Sequence, residues 1–529
     1  MKRNGGDRKY TGWWPGSLNG DPGSKLNLMI HTRFLVLAGS LLAATAGFAD
    51  VVEQGPKDSK HSGLLAGVAR ADISPPVGIA QLNWGSQTHV EAVGIDPAGM
   101  YATALVLSDG KSKFAMVDID SLSIRNMDWV IKQASERAGI PIAHIRLGAT
   151  HTHSGPAYQR EKGPVGTDPN RYLPAIQAYE RAVGDKIAGA IIEANAKLRP
   201  AHAYGGKGTG TININRRVRG TSKTPPAVGT NPDGFVDRDL IVFRIDDEKG
   251  GPLAVLVNFQ CHGTTLTFEN KMISPDWTGM VRPTVERALP GALCLYFQGA
   301  AGNQGPIEGG TGDLTVAHRL GTILGHQAAA LALQIETVRR EPVLEGFAES
   351  TAFAARQPWR VKGPRTGSLA FASSVVEVPR RTYTTGEIAR MAAEVEDARK
   401  RLALVANGAA WERYQAEARL RRFEDLLKQW QSPVDASPRL VEVQALRIGE
   451  MALVAMPGEP FAEIGAAVRA KSPFAFTMFC GYSSGKGGDY MPIASEYAHG
   501  GYEVERTPYG PEAAERVIQS AIALLRSLR

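Results

Sequence analysis

Between Gly67 and about Val343, short apolar runs alternate with stretches in which apolar residues recur every three or four positions. The runs at 101–107, 113–118, 144–149, 240–245, 253–260 and 292–298 predict strands. The stretches at 127–138, 175–197, 279–288 and 314–337 predict helices, and the last two carry the apolar face of a helix packed on a sheet. Together they predict an α/β fold: a twisted mixed-sheet domain with flanking helices.

Downstream the pattern changes. Residues 357–382 read as irregular, and 385–431 as two charge-rich helices broken near Asn407-Gly408. An inserted helical hairpin is the expectation, acting as a solvated lid or buttress, because no heptad persists long enough for a coiled coil. After Pro433, 441–448 and 451–456 read as a strand pair turning at Gly449-Glu450. Internal repeats and low-complexity tracts are absent from the sequence.

The first 28 residues are polar, Gly-rich and unpatterned. From Met29 the character shifts: His31 and Arg33 precede an apolar run from Phe34 to Leu42, and Gly47-Phe48-Ala49 supplies small residues before Asp50. That is the layout of a signal peptide. The expectation is a start at Met29, with 1–28 an upstream mis-start, a leader over 29–49 and a catalytic domain over 50–529. Export to the periplasm or medium would follow cleavage near Ala49. An uncleaved anchor is the alternative, although the apolar run is short for a bilayer.

With 529 residues the chain exceeds one ordinary core, so one large domain with insertions or two closely packed domains are expected. The net charge of +7 would suit peripheral contact with an anionic membrane surface. Basic and acidic residues are interleaved, however, so no nucleic-acid footprint is present. Cys261, Cys294 and Cys480 are widely spaced and form no disulfide framework or zinc knot, although one pair could bridge after export. Cys294 lies within an apolar run and reads as a small buried hydrophobe. No obligate protein partner is readable.

The strongest chemical signal is Ala149-Thr150-His151-Thr152-His153-Ser154-Gly155-Pro156, leaving the strand that ends at Ala149. Extended backbone would put His151 and His153 on one face, as two ligands of one ion or as a ligand beside a proton shuttle. A second apolar strand ends at His262 before Gly263, and a third at Glu459 in Pro457-Gly458-Glu459-Pro460. Ser274 is a candidate nucleophile without a Gly-x-Ser-x-Gly elbow, and Asp276 either caps the helix at 279–288 or joins a site. The Gly-rich stretch 298–306 lacks the Lys-Ser/Thr of a phosphate loop.

In their order, these segments resemble the neutral/alkaline non-lysosomal ceramidase family. The resemblance opens with Gly67-Val68-Ala69-Arg70-Ala71-Asp72-Ile73-Ser74-Pro75-Pro76 and runs with gaps to about Glu503. His-Thr-His-Ser-Gly-Pro at 151–156 is its most specific block, supported by Asn213-Ile214-Asn215-Arg216 and Pro457-Gly458-Glu459. The resemblance implies a zinc ion (Zn2+) held by His151, His262, Glu459 and Tyr490. It also implies His153 as a proton carrier, with Arg216 and Tyr502 as polar groups around the scissile carbonyl. The implied reaction is hydrolysis of N-acylsphingosine to a fatty acid and sphingosine.

Three departures accompany it. The family's catalytic serine stands in Gly-Asp-Val-Ser-Pro-Asn, where this chain reads Gly299-Ala300-Ala301-Gly302-Asn303. Its Tyr-Glu-Gly becomes Tyr502-Glu503-Val504, and an end at Arg529 leaves no room for the C-terminal β-sandwich that many ceramidases carry. A ceramide substrate predicts an apolar groove to the metal. A soluble amide, ester or lactone predicts a short polar pocket, and a non-catalytic metal-binding protein would be indifferent to alanine at His153.

Overall fold

Along the strand Tyr101–Ser108 successive side chains enter different cores, Ala104 and Val106 one, Leu105 and Leu107 another. A strand buried on both faces needs a layer on each side. The computed structural model, which describes residues 63–529 apart from 82–88, 125, 158–168, 222–223, 350, 366 and 433–436, supplies them as helix, sheet, sheet and helix. The expected leader at 1–49 lies outside the described residues.

The larger sheet holds β1 (Leu64–Asp72), β2 (Tyr101–Ser108), β3 (Lys113–Ile119), β4 (Ile145–Ala149) and β5 (Arg199–Thr209). Past β6 (Asn213–Val218), which lies outside it, the sheet adds β7 (Asp239–Asp247), β8 (Pro252–Phe259) and β9 (Leu293–Gln298). Their order is β9-β8-β7-β5-β1-β2-β3-β4, mixed because β9/β8 and β3/β4 pair parallel and the rest antiparallel. One face is covered by α1 (Asp128–Ala138), α2 (Pro169–Ala196), α3 (Thr278–Ala288) and α4 (Leu314–Gln334).

A short strand β10 (Gln304–Pro306) pairs with β6. The second sheet is built from β11 (Leu369–Val378), β12 (Arg439–Ile448), β13 (Met451–Ala455) and, past the two-residue strand β14 (Glu459–Pro460), β15 (Phe476–Cys480). Its inner residues Leu446, Leu453 and Met478 pack against Leu105, Phe243 and Leu256 of the first sheet. The hairpin is α5 (Thr385–Leu404) and α6 (Ala410–Gln431), joined through Met391, Val395, Phe423 and Trp430. A Thr384–Glu387 capping box opens α5. After α7 (Ala462–Ala470) come β16 (Tyr490–Met491), α8 (Tyr502–Arg506) and α9 (Ala513–Ser527), whose Val517, Ala521 and Leu525 cover the outer face of the second sheet.

The irregular reading of 357–382 is corrected by β11, a ten-residue strand. It lies at the sheet edge with Ser373, Val375 and Glu377 exposed, so its sequence lacks a buried strand's apolar run. All three cysteines are buried and free, so none bridges. Among the described residues no helix is long and apolar enough to cross a membrane.

One feature of the larger sheet decides where chemistry assembles. Its two edge strands meet: Gln298 Nε2 donates to Thr150 O at 3.2 Å and Tyr296 N to Asp118 Oδ2 at 2.9 Å. Arg282 locks this junction from α3, donating from Nε to Asp118 at 2.8 Å and from Nη2 to Asp120 at 2.9 Å. The end of β4 therefore lies beside the end of β8, although the two occupy opposite sides of the sheet order.

Candidate functional site

His151 follows β4 and is pinned from several sides. Its N–H donates to Ser121 O at 2.9 Å, and its Nδ1 lies 2.7 Å from Leu122 O. Its φ of +66° is left-handed, so the expected extended alternation with His153 is corrected: a turn brings the two rings together. His153 N donates to Gly263 O at 3.1 Å, tying the segment to the end of β8. A Cβ at Gly263 would come 2.7 Å from His151 O, so only glycine allows this approach.

His262 is fully buried, with Nδ1 2.7 Å from Ala301 O and its own carbonyl accepting from Trp277 Nε1 at 2.9 Å. Glu459 opens β14, its N–H donating to Asp489 O at 2.9 Å. Gly458 before it has a φ of +80°, and a Cβ there would meet Asp489 O at 2.5 Å. Parallel pairing of β14 with β16 sets Tyr490 opposite Glu459.

Four donor atoms converge. His151 Nε2 lies 3.1 Å from His262 Nε2, 3.2 Å from His153 Nε2 and 3.3 Å from Glu459 Oε2, while His262 Nε2 lies 3.2 Å from that oxygen. A backbone carbonyl only accepts, so the Nδ1 atoms of His151 and His262 hold the protons and their Nε2 atoms face each other as lone pairs. Burial, then the nearby Arg216 guanidinium, pushes His262 down to about 3. Burial and the facing imidazoles push His153 well below the usual histidine range. Neutral imidazoles with converging lone pairs, beside a carboxylate oxygen that accepts no hydrogen bond, offer a place for a cation between them. Tetrahedral ligands about 2.0–2.1 Å from one ion lie about 3.3–3.4 Å apart, close to the separations here. The set thus fits a metal, and His151, His153 and His262, of which the first and last are buried, could hold one.

Behind the donors, Arg216 on β6 donates from Nε to Glu503 Oε1 and from Nη2 to Tyr490 Oη, each at 3.0 Å. Arg217 donates to Glu503 Oε2 at 2.6 Å and to Glu496 at 2.9 Å. Burial, then the Glu459 carboxylate, holds the Tyr490 hydroxyl well above 10, with Arg216 opposing. Tyr502 begins α8, its ring 5.6 Å from that of Tyr490.

Other expectations are corrected. Ser274 is no nucleophile: its Oγ is buried and donates to Asp96 Oδ2 at 2.6 Å, and His318 lies on that same carboxylate at 2.9 Å instead of on the serine. Asp276 does not cap α3. It accepts from Leu266 N at 2.9 Å and Trp277 N at 2.7 Å, bracing the tryptophan that holds His262. Aligned on its glycine and proline, the family's serine motif falls on Gly302-Asn303-Gln304-Gly305-Pro306, which sets Gly305 of β10, beside Arg216, at the serine position.

A cavity of about 1000 Å³ reaches His151 and Glu459. The hairpin helix α6 lines it with Arg421, Arg422, Asp425 and Leu426, opposite Tyr482 and the glycine-rich 485–488 loop. Sequence reasoning missed Tyr482 and Arg506, another lining residue. Tyr482 could have been found, because it follows an apolar strand and a glycine just as His262 follows β8.

Comparison with known proteins gives a matching family model and a shared fold. The sequence model of the family described as neutral/alkaline non-lysosomal ceramidase, N-terminal, matches residues 64–299. Neutral ceramidase of Pseudomonas aeruginosa is 26% identical over 412 residues, covering 73% of this chain and 60% of that protein. Neutral ceramidase A of Dictyostelium discoideum is 29% identical over 178 residues, covering 32% and 24% respectively. The matches thus span about a quarter to three fifths of these relatives. A crystal structure of the Pseudomonas aeruginosa neutral ceramidase shares the fold, with a TM-score of 0.58 at 20% identity over 89% of this chain and 75% of that one.

Proposed function

We propose that this chain, whose residues 64–299 match the sequence model of the neutral/alkaline non-lysosomal ceramidase N-terminal region, is a zinc-dependent hydrolase of a linear amide. The observation that carries the reading is the convergence of Nε2 atoms from His151, His153 and His262 with Glu459 Oε2. His151, His262 and Glu459 would hold the ion, with Tyr490 completing the set. Zinc bound there would polarise a water and bring its pKa toward about 7.

The protein's own groups do the rest. Water oxygen bonds to the carbonyl carbon, the C–N bond breaks, and the nitrogen takes up a proton. His153 is only partly buried, and in this reading it passes that proton to the departing amine. Arg216, fixed by Glu503, would hold positive charge near the oxygen that becomes negative. The missing serine leaves water as the nucleophile. The leader at 29–49 would export the enzyme, and peripheral contact with a membrane would suit a lipid amide such as ceramide.

A second substrate reading is favoured by the cavity wall. Arg421, Arg422, Arg439, Arg506, Asp425 and Asp489 line it, whereas the acyl and sphingoid chains of a ceramide would need an apolar groove. A soluble amide, ester or lactone with a polar substituent fits that wall better than ceramide does.

The test is metal content and hydrolysis of a fluorescent N-acylsphingosine by the protein expressed from Asp50, beside His151→Ala. Stoichiometric zinc with turnover lost in the variant supports the ceramidase reading. Zinc without turnover of the lipid, but with turnover of a short polar amide or ester, selects the second substrate class. A protein that takes up no metal rejects both.

A further inference from the structure

Tyr482 sits in a conformation that tyrosine rarely adopts. Its φ is +51°, a left-handed value unfavourable for a bulky side chain. The backbone is held there at both ends: its N–H donates to Gly458 O at 2.8 Å and its carbonyl accepts from Ala149 N at 3.0 Å. These contacts join the turns that carry Glu459 and His151. The strain therefore aims one side chain between the two donor-bearing segments.

That side chain lies against the donors. Its ring centroid is 4.3 Å from that of His151 and 6.0 Å from that of His262, and the residue lines the cavity alongside His151 and Glu459. Tyr482 is 5% exposed, yet its hydroxyl finds no hydrogen-bond partner among the described residues. Buried hydroxyls are nearly always satisfied, and an unsatisfied one costs stability. Tyr490 is different, since its hydroxyl accepts from Arg216. Phenylalanine would fill the same volume at 482 without leaving a donor idle, so the fold alone gives the hydroxyl no use.

We propose that Tyr482 is a catalytic residue, its hydroxyl donating a hydrogen bond to the substrate's carbonyl oxygen as that oxygen gains negative charge. The phenol keeps its proton throughout. The bonds made and broken are those of the hydrolysis above, on whose reading this role rests.

Tyr482→Phe tests it, measured beside the wild type for metal content, thermal midpoint, kcat and KM, and for affinity toward a phosphonate mimic of the tetrahedral state. The expected result is kcat lower by about a hundredfold, the usual effect of losing one such donor. KM and metal content should stay within about threefold, the thermal midpoint should be equal or higher, and affinity for the mimic should fall by the same factor as kcat/KM. A wild-type kcat in the variant overturns the proposal, as does a lowered midpoint with metal lost, which would make the hydroxyl structural. No turnover of any amide or ester by the zinc-loaded wild type overturns the hydrolase reading and this role with it.

Discussion

His151 and His262 face each other through Nε2 atoms 3.1 Å apart, each ring oriented by a backbone carbonyl at its far nitrogen. The carbonyls Leu122 O and Ala301 O follow β3 and β9, which lie towards opposite ends of one sheet order, so this pairing exists only where those ends approach each other. Without a cation it is repulsive, because burial keeps the His262 imidazole neutral.

Metal should therefore support the fold as well as the chemistry. Chelation is expected to lower stability by about 4 kcal/mol relative to protein in free zinc a thousandfold above Kd. His262→Ala should abolish that difference. Thermal unfolding with and without chelator checks both, and equal midpoints for the wild type would reject the metal centre.

Arg216 bridges Glu503 and Tyr490 from a nearly water-free position. Arg216→Ala leaves Glu503 with Arg217 alone and is expected to cost about 3–5 kcal/mol, as breaking buried ion pairs does. Arg216→Lys should recover little, since one ammonium cannot span both partners. Denaturant unfolding measures the loss, and a change under 1 kcal/mol would contradict it.

The hairpin is expected to act on substrate binding. Arg422 of α6 reaches from the cavity wall over the Tyr502 ring, 4.6 Å from its centroid, and donates to Glu505 Oε2 at 2.9 Å. Arg422→Ala removes a charge from the cavity wall and frees the Tyr502 ring, so KM should rise while kcat changes less. An unchanged KM would mean that the hairpin is only a buttress.

Asp276 should make stability depend on pH. Burial pushes its carboxyl up to about 6 from an ordinary 3.8. The folded-state value is the higher one, so its contribution is complete below about pH 4 and is lost as pH rises through about 6. Above that the charged form costs about 3 kcal/mol. Asp276→Asn keeps an acceptor and tolerates the local φ of +60°. Its stability relative to the wild type should improve from pH 4 to pH 8 in urea unfolding, and a pH-independent difference would rule this out.

Much of the architecture was legible because its signals are local. Strands such as β2 and β8 are buried on both faces, and their apolar runs show it. Edge strand β11 was not, since one half-exposed ladder partner demands no such run. His151, His262 and Glu459 were legible for a related reason: each ends an apolar strand, and a polar ligand-type residue there is conspicuous.

The sequence by itself determined the α/β layering, the charged hairpin and the three segments able to supply metal donors, because periodicity and strand-end chemistry are properties of neighbouring residues. Only the tertiary structure decided that His151 and His262 face each other, that Ser274 lies apart from them, that α6 walls the cavity, and that the Tyr482 hydroxyl has no hydrogen-bond partner among the described residues. Those outcomes depend on a sheet whose edges meet and on turns with positive φ, and no local pattern encodes the contact of segments a hundred or more residues apart.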